Sequence, residues 1–145
     1  MATRKVNGVS VELTPQEESD FEASRAVTTD QLIERLKQHR DSLFYQDIIV
    51  TFPVGDRVVR FSNDRDRMNL ESVVNFANTL PGATNVQFTT GDGVRQTLTA
   101  TQMISVGQSV MIEKQGLFDT YYTKKAEIQA LDQAGRDTYD ITGGW

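Results

Sequence analysis

The sequence has no cysteine, one histidine (His39), one tryptophan (Trp145) and three prolines among its 145 residues. Without cysteine the chain has no disulfide, no thiolate nucleophile and no thiolate zinc site. Its lone histidine leaves no conventional catalytic triad. No apolar run approaches the ~18 residues of a membrane span, and the first residues lack the apolar stretch of a signal peptide. We therefore expect no membrane partner, and a protein made in the cytoplasm that acts there or in a particle assembled there.

The chain is acidic, with 20 acidic and 15 basic residues and a formal net charge of −5. The arginines within residues 57–67 are interleaved with aspartates, which makes a mixed-charge surface. Because nucleic-acid binding requires a clustered basic surface, we expect no nucleic-acid partner. The remaining composition, 38% hydrophobic and 24% charged, is typical of a globular domain.

The N-terminal segment predicts a hairpin followed by a helix. Asn7-Gly8 suits a two-residue turn between Val6 and Val9, and the return strand places Val9, Val11 and Leu13 on one face. A capping box at residues 14–17 with Pro15 opens a helix from Gln16 to about Ala26. Phe21 is its only large apolar residue, so this helix either packs on a neighbour or belongs to a partly mobile arm. We therefore divide the chain into an arm, residues 1–27, and a core domain, residues 28–145.

Residues 28–80 predict a helix, a hairpin and a second helix. A capping box at residues 28–31 opens the first helix, which carries Leu32, Ile33, Leu36, Leu43 and Phe44 on one face. The strands Asp47–Phe52 and Arg57–Ser62 follow, joined across a turn at Val54–Asp56, with Pro53 ending the first strand. Asp64 or Asp66 then caps the second helix, whose apolar positions are Leu70, Val73, Val74, Ala77 and Leu80.

The C-terminal third predicts another hairpin and one long helix. The strands Val86–Thr90 and Val94–Leu98 flank a turn at Gly91–Gly93. A capping box at residues 99–102 opens the helix, which runs to about Leu131, and Gly135 ends the helical pattern. The fold class is therefore α+β: antiparallel hairpins packed with helices, one long C-terminal helix and the N-terminal hairpin-helix arm.

The long helix has a heptad spacing from Met103 to Leu131. A strict coiled-coil seam would include Gly107, Lys114 and Lys124, which such seams disfavour. The wider apolar stripe, which adds Ile104, Met111 and Phe118, favours core packing within one subunit over contact with a partner subunit. Gly107 on this face predicts the close approach of a neighbouring backbone, whereas nothing in the sequence explains Gly116.

Residues with catalytic chemistry are sparse. His39 is expected to be an ordinary surface or half-buried helix residue. The acidic segment Asn63–Glu71 lacks the central glycine and the correctly spaced glutamate of a calcium loop, and its arginines oppose a cation. Gly91–Gly93 is a hairpin turn without the strand-loop-helix context of a phosphate loop. We therefore predict no enzyme, no catalytic residue, no cofactor and no metal site.

Aromatic side chains are the better candidates for binding. We expect Tyr121, Tyr122, Tyr139 and Trp145 to be exposed, where they would serve as anchors of a protein interface or as a sugar-binding surface. The hairpin and helix of the arm offer a second contact region. The predicted partner-binding residues are Val6, Val9, Val11, Phe21, Tyr121, Tyr122, Tyr139 and Trp145.

The order of motifs from Ile48 to Trp145 resembles the phage-tail family of unknown function numbered 4376 in its series. Its members show a Val- and Phe-rich strand, an Asp- and Arg-containing cap and an Asn-bearing helix, which Val59–Asn69 matches. They then show a Leu-Thr-Ala-x-Gln-Met opening of a long helix and an ending near Ile-x-x-Gly-Trp. Residues 98–103, 118–124 and 141–145 are similar to these parts. Phe88 stands where members often carry tryptophan.

This resemblance implies a bacteriophage tail location and carries no catalytic residue. It suggests a non-enzymatic structural component of the virion, bound to the tail fibre or baseplate as a connector or cap. A transient tail-fibre assembly chaperone is the first alternative, and a carbohydrate-binding module for host attachment is the second. Trimeric phage fibres suggest a homotrimer by analogy.

Overall fold

The computed structural model describes residues 3–6 and 9–145, and the side chains of residues 3 and 10–145. The elements in chain order are β1 (Thr3–Val6), β2 (Val9–Glu12), α1 (Pro15–Arg25), α2 (Thr29–Phe44), β3 (Ile48–Phe52), β4 (Gly55–Val59), α3 (Asp64–Asn78), β5 (Asn85–Thr89), β6 (Arg95–Thr99), α4 (Ala100–Ala130) and α5 (Gln133–Thr138). The strands form antiparallel hairpins β1-β2, β3-β4 and β5-β6. The α+β class predicted from the sequence is confirmed.

Helix starts follow the capping chemistry of the sequence. Capping boxes at Thr14, Thr28 and Thr99 open α1, α2 and α4, as predicted. The side-chain oxygen of each threonine accepts from the N–H of the third helical residue, and the side chain of that residue accepts from the N–H of the threonine. The prediction that Asp64 or Asp66 caps α3 is wrong. Asn63 has the extended backbone of a cap and accepts a hydrogen bond from the N–H of Asp66, so both aspartates lie in the first turn.

The β3-β4 hairpin differs from its prediction at the turn and at its end. Phe52 pairs with Gly55, so the turn is Pro53-Val54 rather than Val54–Asp56, and Gly55 adopts a positive φ of 107°. The strand predicted to run to Ser62 ends at Val59. Beyond it the N–H of Phe61 donates to the carboxylate of Asp47 at 2.8 Å, which takes Phe61 out of the strand ladder.

The core domain repeats one β-β-α unit: β3-β4-α3 is followed by β5-β6-α4. The spacing Val-x-Phe-x-x-Gly-Asp occurs at residues 50–56 and again at residues 86–92. Val50 and Val86 are equally buried, and the rings of Phe52 and Phe88 stack with centroids 6.3 Å apart and planes 15° from parallel. The two hairpins therefore lie side by side and present equivalent residues to the core.

The long helix α4 packs within the subunit, as the apolar stripe predicted. Its first half contacts the two hairpins and α3, and its second half contacts α2. A close contact does occur at Gly107, but it is with a side chain and not with the predicted backbone: a Cβ added there would lie 2.6 Å from a Val74 methyl carbon. No atom lies within 4 Å of such a Cβ at Gly116, so the structure does not explain that glycine.

Lys114 lies at a position of the heptad seam of α4, where its ammonium group bonds to the C-terminal end of α2. Its side chain is only 3% exposed, and its Nζ donates to the main-chain oxygens of Leu43 and Gln46 at the end of α2. The ammonium also lies 4.8 Å from the centre of the Phe61 ring. Burial lowers the pKa of Lys114. The last carbonyls of α2 thus receive a buried donor from the centre of α4.

The ends of the chain differ more from expectation. Gly135 does not end the long helix, because α4 stops at Ala130 and Gly135 lies inside α5, where its N–H donates to the cap residue Asp132 at 2.8 Å. At the other end, no residue of α1 is buried. The partly mobile arm and the boundary between residues 27 and 28 both stay predictions.

Candidate partner-binding surfaces

The C-terminal tail lies against α2 and α4 rather than standing free. The Trp145 ring meets His39 of α2 edge-on, with ring centroids 5.2 Å apart, and its Nε1 donates to the oxygen of Ile141 at 2.7 Å. His39 is half-buried, within the range expected from the sequence. Since Trp145 is also half-buried, a partner meets only part of the indole, and its polar atom is already bonded.

Tyr139 is tied to α4 by its hydroxyl group. The phenol donates to the carboxylate of Glu127, and the ammonium of Lys124 lies 5.5 Å from the ring centre. Burial and the hydrogen bond to Glu127 raise the pKa of Tyr139 to about 12. Tyr139, Ile141 and Trp145 pack together on the buried residues Leu32, Leu36, Tyr121 and Ile128. The tail is therefore part of a second small core.

Tyr121 and Tyr122 have opposite environments. The prediction that Tyr121 is exposed is wrong: it is 7% exposed, because its ring faces α2, where the Arg40 guanidinium lies 4.6 Å from the ring centre. Tyr122 is 62% exposed and meets Tyr121 edge-on. Of the four candidate aromatics, Tyr122 alone is largely open to a partner.

The arm exposes apolar side chains at two places. Phe21 of α1 is 46% exposed and Val11 of β2 is 40% exposed. The Arg25 guanidinium lies 5.4 Å from the Phe21 ring centre. The predicted hairpin is confirmed by the pairing of Val6 with Val9, whereas Asn7, Gly8 and the side chains of Val6 and Val9 lie outside the described part of the chain.

An open groove of about 840 Å³ separates α1 from α5. Its lining combines Phe21 and alanines of α1 with the acidic side chains of Glu18, Glu22 and Asp137. The tail and the arm are joined at this point, since Asp137 accepts from the N–H of Val27 at 3.1 Å and Gln133 donates to the oxygen of Val27. The arm candidate Phe21 therefore borders a groove whose other wall is α5, whereas the candidates Tyr121, Tyr122, Tyr139 and Trp145 are not among the residues that line it.

The segments that resemble ion-binding loops have structural partners. Arg67 pairs with Glu71 at 3.1 Å and with Asp64 at 3.5 Å along α3. The N–H of Gly91 donates to the oxygen of Val58, which joins the two hairpins. Within residues 3–6 and 9–145, no three histidine or acidic side chains are grouped so as to hold a metal ion.

Two further cavities were not anticipated from the sequence. One of about 450 Å³ lies between α3 and α4, where Gly107 and Ile104 form part of the floor and Asn75 and Gln108 part of the rim. The other, about 230 Å³, lies between α3 and the β5-β6 hairpin and includes Arg60, Asp66 and Phe88. Of the repeated Val-x-Phe-x-x-Gly-Asp segments, only the second reaches a cavity, the smaller one, through Phe88, Thr89 and Thr90.

Two β-β-α units, the helix α2 packed on α4 and an exposed arm define an α+β protein with a tail folded back on its longest helix. The model of a family described as "Domain of unknown function (DUF4376)" matches residues 27–143. The chain belongs to this family, in agreement with the resemblance seen in its motifs. No curated protein and no solved structure matches the chain.

None of the helices in the described part of the chain has both the length and the hydropathy needed to span a lipid bilayer.

Proposed function

We propose that this chain is a non-enzymatic bacteriophage tail protein that binds the tail fibre or baseplate as a connector or cap and remains in the virion. Two observations support the proposal. The motifs of residues 48–145 resemble those of a phage-tail family, and the chain belongs to the family of that number. The exposed Phe21 of the arm borders an open groove whose other wall is α5, and the arm is joined to α5 there by the bond from the N–H of Val27 to Asp137.

The observation that carries the proposal is the exposure of the arm. No residue of α1 is buried, although the helix has a complete capping box and a large apolar side chain. Short helices are marginal in water without tertiary packing. Phe21 is 46% exposed, and covering that part by a partner would contribute roughly 1 kcal/mol. The arm would therefore be more stable when packed in an interface than when exposed to solvent.

The charge of α1 indicates what its partner offers. Four acidic side chains, Glu17, Glu18, Asp20 and Glu22, precede Arg25 on this helix. A partner surface with an apolar socket for Phe21 and a basic rim would match this helix. Such a complex weakens as ionic strength rises, because salt screens exposed charges.

Co-expression with the neighbouring fibre gene tests the proposal. A tagged chain should retain the fibre protein in a pull-down at low salt and lose most of it when Phe21 is replaced by alanine. Phe76→Ala is the matched control, since Phe76 is 58% exposed on α3, away from the arm. Failure of the wild-type chain to retain any tail protein, or equal retention by the two variants, contradicts the proposed contact.

The two alternative functions predict different results. A fibre assembly chaperone would bind the fibre protein in cells and be absent from mature particles. A carbohydrate-binding module built on Tyr121, Tyr122 and Trp145 would bind glycans on an array. That surface has less support, because Tyr121 is buried and the Trp145 indole nitrogen donates within the tail.

The oligomeric state belongs to the same proposal. A trimer would match a trimeric fibre axis, with three arms available to it. Sedimentation equilibrium of the full chain, alone and with the fibre protein, measures this directly.

A further inference from the structure

The cavity between α3 and the β5-β6 hairpin has an apolar floor and a polar rim. It has a volume of about 230 Å³ and lies beside the first two turns of α3. Leu70 and Phe88 supply the apolar part, and the polar part comes from Arg60, Asp66, Asn69 and Thr89. Small-molecule sites share this combination of an apolar lining with a few placed polar groups.

Hydrogen bonds hold Arg60 and Asp66 in place, and the polar side chains of the rim keep groups that can bond to a ligand. Arg60 donates through Nε and Nη2 to the oxygen of Gly91, at 3.2 and 2.9 Å, and its Nη1 makes no hydrogen bond with the described residues. Asp66 accepts from the Asn63 amide through Oδ2, at 3.0 Å, and its Oδ1 makes no hydrogen bond with the described residues. The amide of Asn69 makes no hydrogen bond within the part of the chain that the structure describes. The rim therefore offers donors and acceptors, of which those of Arg60 and Asp66 are held in position by hydrogen bonds.

The floor is rigid because it belongs to the core. Phe88 is half-buried, and one face of its ring is stacked on the buried ring of Phe52. Leu70 is 3% exposed. A ligand with one apolar face can pack on this floor without reorganising it.

The charges of the rim select the kind of ligand. A phosphate or carboxylate would meet the carboxylate of Asp66, and an ammonium group would meet the guanidinium of Arg60. A neutral ligand with adjacent hydroxyl groups satisfies both, since each hydroxyl donates and accepts. The volume is below the roughly 300–1,000 Å³ of sites for drug-sized ligands, which suits a single sugar ring.

We propose that this pocket binds one neutral sugar residue, whose hydroxyl groups bond to Arg60, Asp66 and Asn69 and whose C–H face packs on Phe88. The site is separate from the tail aromatics Tyr122 and Trp145. It stands whether or not the chain belongs to a tail, because it depends only on the geometry of the pocket.

Nuclear magnetic resonance of the isotope-labelled full chain tests the proposal. The chain is titrated with glucose, galactose, mannose and N-acetylglucosamine, and separately with inorganic phosphate and with lysine. At least one neutral sugar should shift the amide signals of Asn69, Thr89 and Thr90 in a saturable way. Phosphate and lysine should not shift these signals.

Variants assign the binding to the rim. Asn69→Ala should weaken sugar binding about threefold to tenfold, the loss expected for one hydrogen bond. Asn75→Ala on the same helix is the matched control and should bind like the wild type. Phe88→Leu keeps an apolar floor but removes the ring, and it should weaken binding in a chain whose other signals stay unchanged.

Three results would overturn the proposal: no shift at the pocket with any neutral sugar, stronger binding of phosphate or lysine than of sugars, or equal binding by Asn69→Ala and Asn75→Ala. The shifts of the wild-type chain decide the first two results without any variant, so a variant that fails to fold does not obscure them.

Discussion

Lys114, in the middle of α4, donates a hydrogen bond from Nζ to the main-chain oxygen of Gln46, 2.8 Å away and just beyond the end of α2. This bond joins α4 to the connection between α2 and β3, because Asp47 and β3 follow Gln46 directly. A cation buried at this junction explains why an apparently apolar stripe contains a lysine.

Replacing Lys114 with methionine should destabilise the chain. Methionine fills the space of the lysine stem, but it leaves the main-chain oxygen of Gln46 without its donor, at a cost of about 1–3 kcal/mol, whereas the Leu43 oxygen still accepts from the N–H of Gln46. Urea denaturation of Lys114→Met beside Lys37→Met measures this difference, since Lys37 is exposed on α2. Equal stability of the two variants would show that the buried bond contributes nothing.

The two helical glycines of α4 should respond oppositely to alanine. Gly107→Ala places a Cβ 2.6 Å from a Val74 methyl and should cost about 1–3 kcal/mol by overpacking. Gly116→Ala meets no atom within 4 Å and should gain roughly 0.5–1 kcal/mol from helix propensity. Thermal unfolding gives both values. The Gly107 account further requires that adding Val74→Ala restores part of the loss.

Asp47 should stabilise the exit of the first hairpin in a pH-dependent way. Hydrogen bonds from Ser62 and from the N–H of Phe61 lower the pKa of Asp47 below its ordinary 3.8. This stabilisation is therefore present above pH 3.8 and is lost as pH falls through the folded-state pKa. Asp47→Ala should cost about 1 kcal/mol at neutral pH.

The pH test for Asp47 is a pair of urea denaturation curves, one at neutral pH and one in acid. The wild type and Asp47→Ala should converge in the acid pair. A difference between them that is the same at both pH values would mean that the carboxylate charge plays no part.

Tyr139 should titrate later than an ordinary tyrosine. Its pKa is raised from 10.0 to about 12, so the folded chain keeps this proton after the unfolded chain has lost it. The stability that it contributes is complete below pH 10 and is lost as pH rises through about 12. An absorbance titration of the phenolates should lose a late-titrating group in Tyr139→Phe. A titration curve in which the lost group has a pKa near 10 would contradict the bond to Glu127.

Sequence patterns predicted elements better than their ends. Three capping boxes fixed helix starts, because side-chain chemistry at a cap is local. Strand β4 ends at Val59 because the N–H of Phe61 bonds to the carboxylate of Asp47. These two residues are 14 positions apart in the sequence, so no local pattern predicts this bond. In the same way, Gly135 was predicted to end the long helix because glycine is common at helix ends. In the structure Asp132 caps a new helix, α5, and Gly135 lies within it.

The candidate surfaces show the same limit. Tyr121 and Tyr122 are neighbours in sequence, and only the packing of α4 on α2 decides that one is buried and the other exposed. The pocket proposed to bind a sugar needs Arg60, α3 and the second hairpin together, and Arg60 is joined to that hairpin by its hydrogen bonds to the oxygen of Gly91. The repeat of the β-β-α unit was present in the sequence, at residues 50–56 and 86–92.

Quantitative mass spectrometry of purified phage particles tests the central claim most directly. If the chain is a connector or cap of the tail, its peptides should occur in a fixed ratio to the tail-fibre or baseplate peptides and persist through repeated density-gradient purification. Particles that contain the fibre in full amount but lack this chain would contradict that account.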